Sequence, residues 1–365
     1  MLYLNIVTNM NDSSASINTA VRHPRVPEEI TAPWLFGVLN LKVRSVVITK
    51  SLHTTASKIF CTVMYEDDGA ADGPRPKHIC IKGGFCPEQL AVYPLLPKLY
   101  EREIDFFSKI APTLHMDLPR IWYADHGILI MDDLTHAGCV FADPLDSWPV
   151  ERVKAGVEQL AAMHAGTWNI RQENYPYITP DYEQLFLGLM PNYIERINAE
   201  DGPLIPGYLR DHKRVTAAVQ KYCRTRNPRF RCLVHGDPHI GNTYLTRDGQ
   251  VRFVDFQVVY ISSALHDLAY FVGGALSIED RRAHEGEVID HYLHSLAYHG
   301  GPRLPRDEEV MAEYAHSFMS GLGWATVPYW MQSMETVHAM TKRYMAAIQD
   351  HKTIELLEAL PEVAK

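Results

Sequence analysis

The residue types best suited to chemistry are concentrated in His235-Gly236-Asp237-Pro238-His239-Ile240-Gly241-Asn242 and in Asp255-Phe256-Gln257, with Asp255 eighteen residues beyond Asp237. Between them, two β-rich runs, Thr243 to Thr246 and Val251 to Val254, flank Asp248-Gly249, a strong hairpin signal. Folding about that dipeptide sets Asp255 opposite Asn242, at the end of the hairpin that also carries Asp237. Three oxygen-bearing side chains are thereby expected to converge. Asp and Asn oxygens are hard donors suited to Mg²⁺, which is usually held by one or two carboxylates together with a substrate's phosphates. With Asn242 and Asp255 on the metal, Asp237 is placed to take a proton from an attacking hydroxyl. That chemistry is phosphoryl transfer.

Blander and rival readings of the same residues exist. The acids could be ordinary residues of a polar turn, but their spacing agrees with the hairpin. His235-x-Asp237-x-His239 could bind a hydrolytic metal, but no second His/Glu cluster follows at recognisable spacing. His235 is read as a support for its loop, and His239 is left open between solvent and an acceptor pocket.

These residues need elements to position them. From Val43, the run Val46 to Thr49, then Ile59 to Tyr65 and His78 to Lys82, read as three strands, with Glu66 to Lys77 an exposed loop. Leu96, Leu99, Glu103, Phe106, Phe107 and Ile110 recur at helical spacing, and Ile128 to Met131 is a further strand. Beyond about residue 135 the pattern is mostly helical, as in the stripe Val153, Val157, Leu160, Ala161, His164 and Trp168. The expected class is α+β: a small antiparallel sheet lobe with one helix at 29–134, a larger helical lobe at 135–365, and a mobile lead-in at 1–28. His164 is expected as a packed core histidine and Asp267 as a helix cap that ties down the catalytic loop. Trp324, Tyr329, Trp330, Met331 and Met334 are read as core rather than as an acceptor wall.

Composition narrows the function. With 365 residues, 46% hydrophobic and 22% charged, the chain is enzyme-sized and globular, and long enough for about two folding units. A net charge of -9 argues against a nucleic-acid partner, which needs a basic surface. No apolar run reaches the roughly 18 residues of a membrane span, so no membrane partner is expected, and Met1 to Asp12 lacks the pattern of a signal peptide. A cytoplasmic protein is expected, its six cysteines reduced and mostly in the core.

The HGDPHIGN loop followed by DFQ resembles the aminoglycoside phosphotransferase, choline kinase and ecdysteroid-kinase-like group of small-molecule kinases, which has the two-lobed protein-kinase-like fold. The resemblance extends over roughly residues 40 to 275. It implies Asp237 as catalytic base, Asn242 and Asp255 as Mg²⁺ ligands, Lys82 as the nucleotide-phosphate lysine and Glu103 as its helix partner. Glu103 also lies on the apolar stripe of its own helix, where a carboxylate is costly unless paired. Leu129-Ile130-Met131-Asp132-Asp133-Leu134 resembles the interlobe linker whose backbone reads adenine, which brings in Asp132 and Leu134. Gln159 to Trp168 and Asp267-Leu268-Ala269-Tyr270-Phe271 resemble helical-lobe segments of the group. One departure stands out: the first turn, Leu52 to Ser57, has no glycine, whereas phosphate-covering loops use glycine for close approach. The backbone N–H and hydroxyl donors of this Ser/Thr-rich turn, Ser57 among them, are the expected substitute.

The resulting expectation is an ATP- and Mg²⁺-dependent phosphotransferase acting on a hydroxyl of a steroid- or terpenoid-like, choline-like or aminoglycoside-like metabolite. A nucleotide-binding pseudokinase or scaffold is the alternative. A protein kinase is disfavoured, because DFQ and HGD replace DFG and HRD and no APE-like segment follows.

Overall fold

The structure, a computed structural model, describes residues 22–66 and 74–361. Residues 1–21 of the expected lead-in and 67–73 of the expected exposed loop lie outside the described residues. Where the lead-in is described, it is tied down: the His23 ring stacks on His126 at 4.1 Å, and Arg22 pairs with Glu29.

Five antiparallel strands make the small lobe: β1 (Val43–His53), β2 (Ser57–Tyr65), β3 (His78–Gly83), β4 (Ile121–Asp125) and β5 (Ile128–Asp132), in the order β1-β2-β3-β5-β4. Strand alternation decides what each face carries. Ile59 pairs with Ile81 and Cys61 with Ile79, so these side chains share one face with Val63 and Ile130. Helix α1 (Ala32–Leu39) covers that face with Trp34 and Leu35. Lys58 pairs with Lys82 and Phe60 with Cys80, so these four line the other face with Leu129 and Met131, toward the helical body.

The small lobe holds three helices where the sequence pattern indicated one. Helix α1 has eight residues and α2 (Pro87–Val92) six, too short to show a periodicity, although Thr31 caps α1 and Asn40 ends it in the left-handed conformation. Strand β4 also escaped the pattern, since it is a half-buried edge without alternation. Helix α3 (Leu96–Asp105) runs into a single π-helical turn, Phe106–Ile110, which buries two consecutive phenylalanines.

The larger lobe contains α4 (Val150–Gly166), α5 (Tyr182–Asn198), α6 (His212–Arg224), α7 (Ala264–Ala275), α8 (Ile278–Tyr298), α9 (Glu308–Ser317), α10 (Met334–Asp350) and α11 (Thr353–Ala359). Its short strands are β6 (Val140–Phe141), β7 (Arg231–Val234), β8 (Thr243–Leu245), β9 (Val251–Phe253) and β10 (Tyr260–Ser263), paired as β7 with β10 and as β6-β8-β9. Helix α7 is buried along its whole length and is the hub of this lobe.

The β8–β9 hairpin forms, but its register differs by one residue from the expected fold-back. Thr243 pairs with Phe253 and Leu245 with Val251, so Asn242 faces Val254, whose N–H donates to the Asn242 carbonyl. The cause is a three-residue loop, Arg247-Asp248-Gly249, closed by Thr246 and Gln250, with Gly249 at φ +81°. Asp255 therefore lies one residue past the point opposite Asn242.

Helices α4 and α7 meet where Gly156 faces the Phe271 ring, and a Cβ at Gly156 would fall 2.4 Å from that ring. Ala is the better helix former by about 1 kcal/mol, but Phe271 is fully buried and boxed by Trp148 and Phe253. Overpacking typically costs about 1–3 kcal/mol, so Gly156→Ala is expected to lower the urea midpoint with an unchanged m-value. A raised midpoint would show that the ring moves aside freely.

Candidate active site

The loop from β7 to β8 is held from below by one buried carboxylate. Asp267, fully buried in the first turn of α7, accepts from the His235 N–H at 2.6 Å, the Gly236 N–H at 3.0 Å and His164 Nε2 at 3.0 Å. Tyr292 in turn donates to His164 Nδ1 at 2.8 Å. Burial alone would raise the Asp267 pKa, but the hydrogen bond from His164 helps to keep it below the ordinary aspartate value. The cap of α7 is Ser263, not Asp267, so the expected capping role is corrected while the tie to the loop stands. Gly236 takes φ +85°, and a Cβ there would lie 2.4 Å from the Val258 carbonyl.

That clamp aims Asp237. Its Oδ1 accepts from the Tyr270 hydroxyl at 2.8 Å, and Asn242 Nδ2 donates to its Oδ2 at 3.3 Å and to its carbonyl at 2.9 Å. The Asp237 side chain remains one-third exposed. Because the Asn242 amide nitrogen points at Asp237, its oxygen is turned outward. His235 uses both ring nitrogens on backbone: Nδ1 accepts from the Asp237 N–H and Nε2 donates to the Val254 carbonyl. It is therefore a loop support and not a metal ligand. Among the described residues there is no group of three or more His, Cys, Asp or Glu that could hold a metal ion.

A second buried cluster joins segments from both lobes. Lys82 Nζ on β3 lies 2.7 Å from Glu103 Oε2 of α3 and 2.8 Å from Asp255 Oδ1. Burial disfavours the ammonium, but Asp255 and Glu103 outweigh it and raise the Lys82 pKa. For Asp255, burial is overcome by Lys82 and Lys58, and its pKa falls to about 2. Asp255 takes left-handed angles, φ 69° and ψ 60°, an uncommon conformation for a residue with a Cβ. Its neighbour Phe256 locks it there: Glu103 accepts from the Phe256 N–H at 3.2 Å, and the Phe256 ring stacks on Phe106 at 4.1 Å with Phe107 edge-on.

The remaining candidates divide. Ser57 is buried on the face opposite Lys82, and its hydroxyl is held by His53 Nδ1 at 2.8 Å, so its side chain does not enter the cleft. The reason is parity: Lys58, one residue on, faces the cleft. The Asp132 side chain also points to the outer face, where it accepts from Trp122 Nε1 at 2.6 Å, which leaves only backbone for the linker role. At Leu134 the carbonyl accepts from the Cys139 N–H, and among the described residues nothing accepts from the Leu134 N–H. His239 is buried and edge-on to Trp324 at 5.1 Å; burial lowers its pKa against the pull of Asp237. Of the aromatic and methionine group expected in the core, only Trp324 is buried. Trp330 is 50% exposed and meets Tyr93 of the small lobe at 5.3 Å, because the segment after Thr326 is a surface loop. Tyr270, Lys58 and Tyr93 have no role that the sequence pattern assigned. Only Lys58 had a readable signal, the two-residue period of β2.

Residues 90–300 match the family model described as the ecdysteroid kinase-like family. No curated protein sequence matches the chain. Among solved structures, a microcompartment-associated aminopropanol kinase aligns with a TM-score of 0.50 at 13% identity, covering 85% of this chain and 94% of its own. That likeness is one of fold, and the fold is the protein-kinase-like one. A choline kinase from Streptococcus pneumoniae aligns at 0.49 and 13% identity over 87% of this chain and 96% of its own. A macrolide 2'-phosphotransferase from Brachybacterium faecium aligns at 0.47 and 15% identity over 82% and 91%.

A titratable brace lies under the same loop. His266 is fully buried; its Nε2 donates to the Gly236 carbonyl at 3.1 Å, and its Nδ1 accepts from the Tyr222 hydroxyl. Burial lowers its pKa from 6.5 to about 4, against a smaller opposing pull from Asp267. Between those values the unfolded chain binds a proton that the folded chain does not. Stability is therefore expected to be complete above about pH 6.5 and to fall by about 3 kcal/mol by pH 4. Urea unfolding of wild type and His266→Gln near pH 7 and near pH 4.5 checks this, with the acid-side loss smaller in the variant. Equal losses would place the titration elsewhere.

Proposed function

Because the chain belongs to the ecdysteroid kinase-like family and is a small-molecule kinase acting on hydroxyl groups, we propose that it transfers the γ-phosphoryl group of ATP, with Mg²⁺, to an alcohol of a small metabolite. The observation that carries this reading is that Asp237, partly exposed and aimed by Tyr270 and Asn242, and Asp255 of the Lys82–Glu103–Asp255 cluster flank the same end of the β8–β9 hairpin. Residues 29–134 act as the nucleotide lobe and 135–365 as the acceptor lobe, with the backbone of Asp132 and Leu134 facing adenine.

The residues suit a hard dication. Asp255 Oδ1 is engaged by Lys82, its Oδ2 has among the described residues only Lys58 at 4.0 Å, and the Asn242 oxygen is turned out from Asp237. Asn242 and Asp255 would hold the metal, which when bound neutralises charge on the phosphates. Lys82, fixed by Glu103, positions the phosphate oxygens. Asp237 then orients the acceptor hydroxyl and takes its proton as the oxygen bonds to the γ-phosphorus and the bond to the ADP oxygen breaks. Tyr270 holds Oδ1 of Asp237 at 2.8 Å, so the proton goes to Oδ2, whose bond from Asn242 is the longer at 3.3 Å. Trp324, edge-on to His239 of the loop that carries Asp237, gives the acceptor side an aromatic surface, which suits a steroid- or terpenoid-like alcohol and a choline-like cation alike.

Asp237→Asn keeps the shape but removes the base, and a positioned base typically contributes 10²–10⁴-fold. In an ADP-release assay over hydroxysteroids, terpenoid alcohols, choline and aminoglycosides, its kcat is expected to drop at least about 100-fold, with ATP affinity within a few-fold of wild type. Wild-type turnover in this variant would sink the assignment. For Asp255→Asn the expected loss is of binding: nucleotide at about a hundred times its Kd adds roughly 2.7 kcal/mol, and the Mg²⁺-dependent part of that thermal shift should vanish. A full shift would remove Asp255 from the metal site.

A further inference from the structure

The β1–β2 turn is poorly equipped to hold phosphates. The Thr54 N–H is spent on the Ala56 carbonyl at 3.3 Å, and the Thr54 and Thr55 carbonyls accept from Gln89 Nε2 at 2.5 Å and the Tyr100 hydroxyl at 2.7 Å, which ties the turn to α2 and α3. Ala56 and Ser57 are buried, and no glycine lets the backbone approach a ligand closely. A different group stands at that end of the cleft. Lys58 is the direct cross-strand partner of Lys82 and shares its face. Like charges directly opposite one another destabilise a sheet, so this pair calls for an anion between its heads. Asp255 is that anion here, 2.8 Å from Lys82 but 4.0 Å from Lys58, beyond hydrogen-bond reach. Among the described residues Lys58 has no other ion-pair partner. Its side chain is 34% exposed, against 5% for Lys82. The Lys58 charge helps to lower the Asp255 pKa and, more weakly, that of His239 in the β7–β8 loop.

We propose that Lys58 is a second phosphate-binding cation of this cleft, gripping with Lys82 the anionic oxygens of a nucleoside polyphosphate that a glycine-rich turn would otherwise hold through backbone amides. The inference rests on the reading of the cleft as a nucleotide site. Charge counting agrees with it: Lys58, Lys82, Glu103 and Asp255 sum to zero, and a dication taking Asp255 would leave Lys58 to the phosphates. Lys58 then acts on binding and not on the proton transfer at Asp237.

Isothermal titration of ATP, ADP and adenosine, with Mg²⁺, into wild type, Lys58→Met and Lys58→Arg tests this. Lys58→Met keeps the apolar stem and is expected to weaken ATP at least about tenfold, a loss of about 1.4 kcal/mol, with adenosine within about twofold. Lys58→Arg should recover most of the ATP affinity. Unchanged ATP affinity in Lys58→Met would overturn the proposal while leaving the nucleotide site standing. Wild type that binds no nucleotide would overturn the site reading and the proposal with it. Should Lys58→Met fail to fold, amine-reactive labelling of the wild-type protein, read by mass spectrometry, decides. ATP should shield Lys58 and adenosine should not, and equal labelling with both would overturn the assignment.

Discussion

An ammonium in a protein interior must be paired, and that constraint organises this molecule. Lys82 is 5% exposed, and its two carboxylate partners come from α3 and from a segment 173 residues away. Neither partner could shift by an ångström without leaving a buried charge, a loss of several kcal/mol. The pair need not add net stability over an apolar core, since desolvation offsets most of the attraction. Its effect is on arrangement. It sets β3, α3 and the Asp255 segment in one relation, and Glu103 extends that relation by accepting from the Phe256 N–H as well. The phenylalanine stack on the π-helical turn is the apolar half of the same joint.

The β7–β8 loop depends on a second buried charge with the opposite logic. Asp267 has no cation beside it; two backbone N–H groups and a histidine supply its donors. A carboxylate satisfied this way stays ionised in the core, and each of its oxygens fixes one amide of the His235-Gly236 turn. Loop geometry therefore follows from α7, the most buried helix of the large lobe, and not from the loop's own composition. The same helix carries Tyr270, three residues and nearly one turn further on, so the clamp that holds the loop and the hydroxyl that aims Asp237 move as one body. Preorganisation of a base requires this kind of rigid support.

Much of the candidate site was legible because its chemistry is local. HGDPHIGN and DFQ flank a hairpin, and a hairpin brings its ends together whatever the surrounding fold. Even so, counting about Asp248-Gly249 erred by one residue, because the loop admits a third residue through the left-handed conformation of Gly249. Glu103 was readable from its place on an apolar stripe, where only pairing makes a carboxylate tolerable. Ser57 misled because a hydroxyl in the right loop says nothing of its face; the Ser57–Gly83 and Lys58–Lys82 register, a tertiary fact, decides that. Helices α1 and α2 and strand β4 were invisible for want of length or alternation. The Tyr270–Asp237 contact joins residues 33 apart with no intervening pattern, and no local rule could have found it.

The absence of glycine in the first turn then becomes a matter of how a cleft divides its work between backbone and side chain. A glycine-rich turn binds anions through amides that cost little to bring close but leave the turn mobile. Here Gln89 and Tyr100 pin the turn through its carbonyls, and Tyr100 with Leu96 packs over Ala56, so the turn moves with α3. Rigidity of that kind keeps the backbone from closing on a ligand and leaves positive charge to side chains. Lysine supplies it as a flexible point charge that can move between a carboxylate and a ligand without moving the strand that bears it. Such a site trades a moving lid for a moving ammonium, and α3 can then remain docked on Phe256 throughout.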